Sequence, residues 1–338
     1  MIAAVFRGGG KLVAEEWPRP AIGEGEVLLR LLGCGLCGSD IAKIVDPTTS
    51  APVVLGHEVV GEVVTLGAGV TDCAIGDRVV AAHHVPCGEC HYCRRGSESM
   101  CRAFKASNLD PGGFAEYVRV PAANARHAMF RVPGHVSDEA ASFVEPLACC
   151  LRSVRRARVE PGDTIVVVGL GSIGCLFGML AAARKARVIL VGKSGWRLER
   201  ARKLGIGECL DTTQSDDTAA AQRELSGGRG ADQVIITGGG TDALPWAVES
   251  LRDGGTVHYF AGGADTLPLR LETLYHRELT LTATYSSSPA DLAEAFRLIV
   301  AGAIAVDRLV THRVSLGGLH RGVDLVRRRE ALKVYVTP

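Results

Sequence analysis

Four cysteines fall within fifteen residues at 87–101, CGECHYCRRGSESMC, spaced C-x2-C-x2-C-x7-C. Structural Zn²⁺ takes four tetrahedral ligands, often all thiolates, and a C-x2-C turn aims two sulfurs at one point. Cys87, Cys90, Cys93 and Cys101 therefore form a candidate metal cage in a lobe of about residues 85–105. Gly88 and Gly96 relieve the backbone there, and Arg94 and Arg95 offset the cage's negative charge. With every position taken by protein, such a metal is structural. The competing readings are a loop of free thiols or a redox dithiol, though the C-x-x-C does not sit at a strand–helix junction.

A second set is scattered: Cys37 in GCGLCGSD (33–40), His57 and Glu58 in GHE (56–58), and Glu145 in VEPLACC (144–150). One thiolate, one imidazole and carboxylates make a mixed set that suits a catalytic zinc with an open position. Taken singly, Cys37 reads as a buried thiol, His57 as a hydrogen-bonded core histidine, and the two glutamates as surface charges or ion-pair partners.

The third set is VVVGLGSIG at 166–174, with Gly169, Gly171 and Gly174 as G-x-G-x-x-G. Gly169 permits a tight turn, Gly171 leaves room for a pyrophosphate and Gly174 lets helix approach strand. Leu170, Ser172 and Ile173 complete the loop, whose N–H groups at a helix start would face phosphates. The second strand ends not in Asp or Glu but in Gly192, followed by KSGWR. Lys193, Ser194 and Arg197 can contact a 2′-phosphate, so the cofactor expected is NADP rather than NAD. The plain alternative is that they simply begin a helix.

These residues need elements to hold them. The N-terminal half carries short β-like runs broken by glycine: GEVLLRLLGCG, HEVVGEVVTLGAG and GDRVVAAHHV. From Pro161 strands alternate with helices: DTIVVVGLG, SIGCLFGMLAAARKA, RVILVG, WRLERARKLG, ADQVIITGGG and GGTVHYFAGG. That order predicts a parallel α/β sheet. A helix at ADLAEAFRLIVAGA and a strand at LKVYVTP close the chain, the strand rejoining the β domain.

At 338 residues, two domains are the default. Lys and Arg number 38 against 37 Asp and Glu, a net charge of +1 that gives no field for nucleic acid or an anionic membrane. A zinc-finger nucleic-acid binder conflicts with that balance. Thr164–Ala183 is twenty uncharged residues, but its glycines argue for a strand and a helix rather than a membrane span. Arg7 precedes any apolar run of signal-peptide length, so no secretion signal is expected. With eleven cysteines, an odd number, this predicts a reducing cytoplasm and no disulfide framework.

Together the motifs resemble the zinc-containing medium-chain alcohol dehydrogenases, most closely the polyol (sorbitol-type) and threonine dehydrogenase branch. CGSD, GHE, GDRV, the four-cysteine lobe, GGFAEYV, EPL and GLGSIG occur in that order along the chain. The resemblance implies a GroES-like irregular β catalytic domain, 1–148 and 290–338, and a doubly wound Rossmann domain, 149–289. It implies two zinc ions per chain. Cys37 and His57 would be catalytic-zinc ligands, joined by Glu58, while Glu145 would enter or leave the coordination. Ser39 would take the substrate's proton, and Asp40 would hold the ring of His57. Many relatives carry a His two residues after this Asp; here it is Ala42, which leaves Lys43, water or the cofactor ribose to pass the proton on.

The activity implied is hydride transfer between a secondary alcohol of a polyol, sugar or cyclitol and NAD(P). A threonine-type amino-alcohol dehydrogenase is the alternative. A non-catalytic NADPH-binding sensor with structural zinc only is the alternative from another class. The substrate pocket is expected from segments 41–54, 104–113 and 261–288, and a homo-oligomer, dimer or tetramer, is expected by resemblance.

Overall fold

The computed structural model describes residues 1–214, 218–238, 240, 243–262 and 269–338. Gly239, and residues 263–268 of the expected pocket segment, lie outside them. The chain divides into two compact units, Met1–Ala148 with Ser286–Pro338, and Cys149–Tyr285.

The first unit is built on a seven-stranded sheet whose centre is Val27–Gly35, paired antiparallel with Glu58–Leu66. The closing strand Lys333–Thr337 returns to this sheet, antiparallel to Val27–Gly35 and parallel to Val310–Ser315. A three-stranded sheet, ordered Leu12–Glu16, Ile2–Phe6, Val53–Val54, adds a second layer. Phe6, Phe114, Leu29 and Leu31 are buried in the core between them. Each such side chain contributes roughly 1.5–3 kcal/mol by leaving water.

The second unit holds six parallel strands. Counted along the chain as 1 to 6, they lie in the order 3-2-1-4-5-6. That is the order of a dinucleotide-binding sheet, with its switch point between strands 1 and 4. Strands 1 and 4, Thr164–Val168 and Ala231–Ile236, are buried at every residue. They read as unbroken apolar runs because helices cover both faces. The twenty uncharged residues from Thr164 become this strand plus the helix Ser172–Ala183. No helix among the described residues is long and apolar enough to cross a membrane.

Candidate active site

Asp40 ties two distant segments together. It lies in the first turn of the helix Gly38–Val45, and its Oδ2 accepts from the N–H of Cys37, the helix N-cap, at 3.0 Å. Its Oδ1 accepts from the N–H of Gly56 at 3.1 Å and lies 3.4 Å from His57 Nδ1. Gly56 has φ +91°, a left-handed turn that suits glycine, and a Cβ there would lie 2.9 Å from the Phe114 ring. One carboxylate thus fixes both the helix start that carries Cys37 and the turn that carries His57. Burial works against ionising Asp40, but His57 and the two backbone N–H groups hold its pKa below the usual carboxylate value.

Cys37, His57 and Glu58 each present a ligand atom, and these lie within 4.8 Å of one another. With Nδ1 turned to Asp40, His57 offers Nε2. Burial opposes a charge on this ring, yet Asp40 and Cys37 draw its pKa well above the ordinary value. A thiolate–imidazole–carboxylate set fits zinc. Glu145, buried at the start of the helix Val144–Arg156, is not one of the three grouped atoms.

Glu58 has a second partner. Lys333 Nζ lies 2.6 Å from its Oε1 and 2.5 Å from its Oε2, with both side chains sealed from solvent. Gly35 makes the space, since a Cβ there would lie 1.8 Å from Glu58 Oε2. Burial lowers the Lys333 pKa, but Glu58 and Cys37 outweigh it and raise the value.

Ser39 is exposed on the first turn of the Cys37 helix, as is Ala42 one turn on. Beside His57 stand two histidines from the end of the strand Arg78–Ala81: the His83 ring is 4.6 Å from that of His57 and 3.8 Å from that of His84. Burial, then the neighbouring His57, His84 and Lys43, push His83 well below its ordinary pKa.

In the lobe, the sulfurs of Cys87, Cys90, Cys93 and Cys101 also lie within 4.8 Å of one another. Cys90–Cys93 is 3.4 Å, Cys87–Cys101 3.6 Å and Cys87–Cys93 4.0 Å. A disulfide needs about 2.05 Å. Four sulfurs at about 2.3 Å from a tetrahedral zinc stand about 3.8 Å apart. The cage has the dimensions of a zinc site.

In the second unit the glycine loop follows strand 1. Gly169 has φ +100°, and a Cβ on Gly174 would lie 1.8 Å from Gly169 O, so turn and helix close on each other only as glycines. Gly171, the N-cap of the helix, has open space around it, and the nearest group to a Cβ there is Arg197 Nη1 at 3.9 Å. Ser172 and Ile173 open that helix, and the buried Leu170 packs over Gly192, where a Cβ would lie 2.8 Å from Leu170 Cδ1. Lys193 is exposed, and Ser194 caps the helix Gly195–Leu204 by accepting from Arg197 N–H.

The profile described as "Alcohol dehydrogenase GroES-like domain" matches residues 23–133, and "Zinc-binding dehydrogenase" matches 172–301. The sorbitol dehydrogenase of Halalkalibacterium halodurans is 33% identical over 98% of this chain and 97% of that protein. The chain belongs to the zinc-containing medium-chain alcohol dehydrogenases. Within the family, the L-galactonate-5-dehydrogenase of Escherichia coli is 32% identical over 97% of this chain and 96% of its own length. A solved zinc-binding dehydrogenase from Sinorhizobium meliloti 1021, bound to NADP, superposes with a TM-score of 0.88 at 28% identity, covering 100% of this chain and 99% of that one. The chain is accordingly an oxidoreductase that acts on CH–OH groups with NAD(P), with GroES-like and Rossmann domains.

Three neighbours of this site are not legible in the sequence. Lys333 stands in a strand that is otherwise apolar, LKVYV, and a lone cation there is a signal for a buried acidic partner. The adjacent His83 and His84 follow GDRV after three residues, and nothing in the sequence tells which of them faces His57.

Proposed function

We propose that this chain oxidises a secondary alcohol of a polyhydroxylated small molecule, reversibly and with NADP in preference to NAD, using one catalytic and one structural zinc. The observation that carries it is the grouping of Cys37, His57 and Glu58 ligand atoms, held by Asp40. The polyol reading is supported by the sorbitol and galactonate relatives.

Cys37, His57 and Glu58 would hold the catalytic zinc, with Glu145 close enough to act on the same charges. When bound, zinc supplies Lewis acidity toward the alcohol and the nicotinamide accepts hydride. Asp40 keeps the His57 ring in one tautomer. Ser39 takes the hydroxyl proton, and with alanine at position 42 the proton leaves through Lys43, water or the cofactor ribose. Cys87, Cys90, Cys93 and Cys101 would hold the structural ion.

Residues 149–289 form the nucleotide-binding domain in this reading. Gly169, Leu170, Gly171, Ser172, Ile173 and Gly174 cradle the pyrophosphate, while Gly192, Lys193, Ser194 and Arg197 meet the adenosine end. Absence of a carboxylate at 192, with the exposed Lys193 next to it, favours a 2′-phosphate. Exposed Leu271, Tyr275, Leu281 and Tyr285 support a homo-oligomer, and free cysteines support the cytoplasm.

The test is a panel of polyols, cyclitols and β-hydroxy amino acids with each cofactor, followed at the reduced-nicotinamide absorbance. Turnover of polyols with NADP is the expected result. Turnover of β-hydroxy amino acids alone points to the threonine type, and no turnover with one zinc per chain points to a sensor.

A further inference from the structure

His83 and His84 are adjacent, yet only one is tied down. His84 Nδ1 lies 2.6 Å from Ser107 O, and its ring packs against Phe104 with centroids 4.8 Å apart. That ring holds the lobe to the sheet. The His83 ring lies against His57, and its Nδ1 is sealed from solvent with no hydrogen-bond partner among the described residues. The residue as a whole is half-buried, so the ring is not wholly sealed. A buried imidazole nitrogen left without a partner is costly, and a native protein keeps one where water or a ligand completes it. The helix Gly38–Val45 supplies no imidazole in its place, because position 42 is alanine.

We propose that His83 recognises a second hydroxyl of the substrate, on the carbon next to the one oxidised, and so selects vicinal diols and polyols over simple secondary alcohols. The assignment rests on the dehydrogenase reading given above. The physical basis is position: the His83 ring packs on that of His57, one of the proposed zinc ligands, with centroids 4.6 Å apart. A neutral imidazole both donates and accepts, so it suits a hydroxyl in either role.

The experiment compares 2,3-butanediol with 2-butanol, which share a carbon skeleton, in the wild-type holoenzyme and in His83→Phe, His83→Ala and His83→Asn. The kcat/KM ratio of diol to mono-alcohol is expected to fall about tenfold in His83→Phe and His83→Ala, the size of one lost hydrogen bond. The fall should reside mainly in KM, and His83→Asn, which keeps a polar head, should recover part of it. Calorimetric titration of the zinc-loaded protein with the diol should show the same loss without turnover. A ratio within twofold of wild type, or an equal fall for both alcohols, overturns the assignment. The alanine variant decides if the phenylalanine variant does not fold. Wild type that oxidises neither these alcohols nor any polyol of the panel above overturns the polyol reading, and this assignment with it. Wild type that oxidises both, with an unmoved ratio in the variants, overturns only the role of His83.

Discussion

Lys333 Nζ donates to Glu58 Oε1 at 2.6 Å and lies 2.5 Å from its Oε2, in a site closed to solvent. The strand Lys333–Thr337 thereby brings the chain's end to the proposed zinc ligands. A buried pair that loses one member leaves an uncompensated charge, which costs about 3–5 kcal/mol. Lys333→Met should destabilise the metal-free protein by that amount in urea denaturation. The double variant Lys333→Met with Glu58→Gln should recover most of the loss. Zinc loading should also shrink the cost of Lys333→Met, since a second cation then faces the same carboxylate. Unchanged stability of the single variant would remove this pair from the account.

Asp40 joins Cys37 to the Gly56–His57 turn through two N–H bonds and a ring contact. Asp40→Asn keeps the shape but loses the charge behind the ring. Such partners typically carry 10- to 100-fold in metal affinity. Competition with a chromophoric chelator should show that drop for one of two zincs, with the lobe's ion retained.

Gly192 and Leu170 interlock: a side chain at 192 would meet Leu170 Cδ1 at 2.8 Å. Installing the NAD-type carboxylate therefore requires space first. Gly192→Asp alone should lower stability and weaken both cofactors, whereas Gly192→Asp with Leu170→Ala should turn the NADP/NAD ratio of kcat/KM toward NAD. Arg197→Ala should raise KM for NADP about tenfold, with a smaller change for NAD, as expected for loss of one charged hydrogen bond. Equal changes for both cofactors would place Arg197 on the pyrophosphate instead.

Asp232 supplies a pH test in the second unit. Its carboxylate takes the Thr164 N–H at 2.8 Å, Arg229 at 2.7 Å and Arg252 at 2.5 Å. Burial acts to raise its pKa, but Arg252, Thr164 and Arg229 together hold it below the ordinary 3.8. A depressed carboxyl stabilises fully above its unfolded pKa and loses that contribution as pH falls through the folded one. Asp232→Asn should cost about 2 kcal/mol at neutral pH. The gap to wild type should narrow below pH 3.8 and close in stronger acid. A gap that stays constant across that range would contradict the assignment.

What the sequence made legible was local. The glycine loop could be read because Gly169 and Gly174 are required by a turn and a close approach that only neighbouring residues define. The cysteine lobe could be read because its four ligands share one short segment. The Lys333–Glu58 pair could not, since 275 positions separate the partners and only the sheet register aligns them. His83 and His84 are chemically identical in sequence, and their difference lies in which ring Ser107 and Phe104 capture. Ser194, read as a phosphate contact, also caps its own helix, a role that the residue type equally allowed. The twenty uncharged residues from Thr164 have the length of a span, and their glycines are what divide them into strand and helix.

The central claim is a zinc ion shared by Cys37, His57 and Glu58. Anomalous diffraction at the zinc edge, on crystals of the zinc-loaded protein, measures it directly. Two peaks per chain are expected: one inside the four-cysteine lobe, and one about 2.3 Å from Cys37 Sγ and about 2.1 Å from His57 Nε2. A single peak in the lobe, with Cys37 and His57 bare in fully loaded crystals, would contradict it.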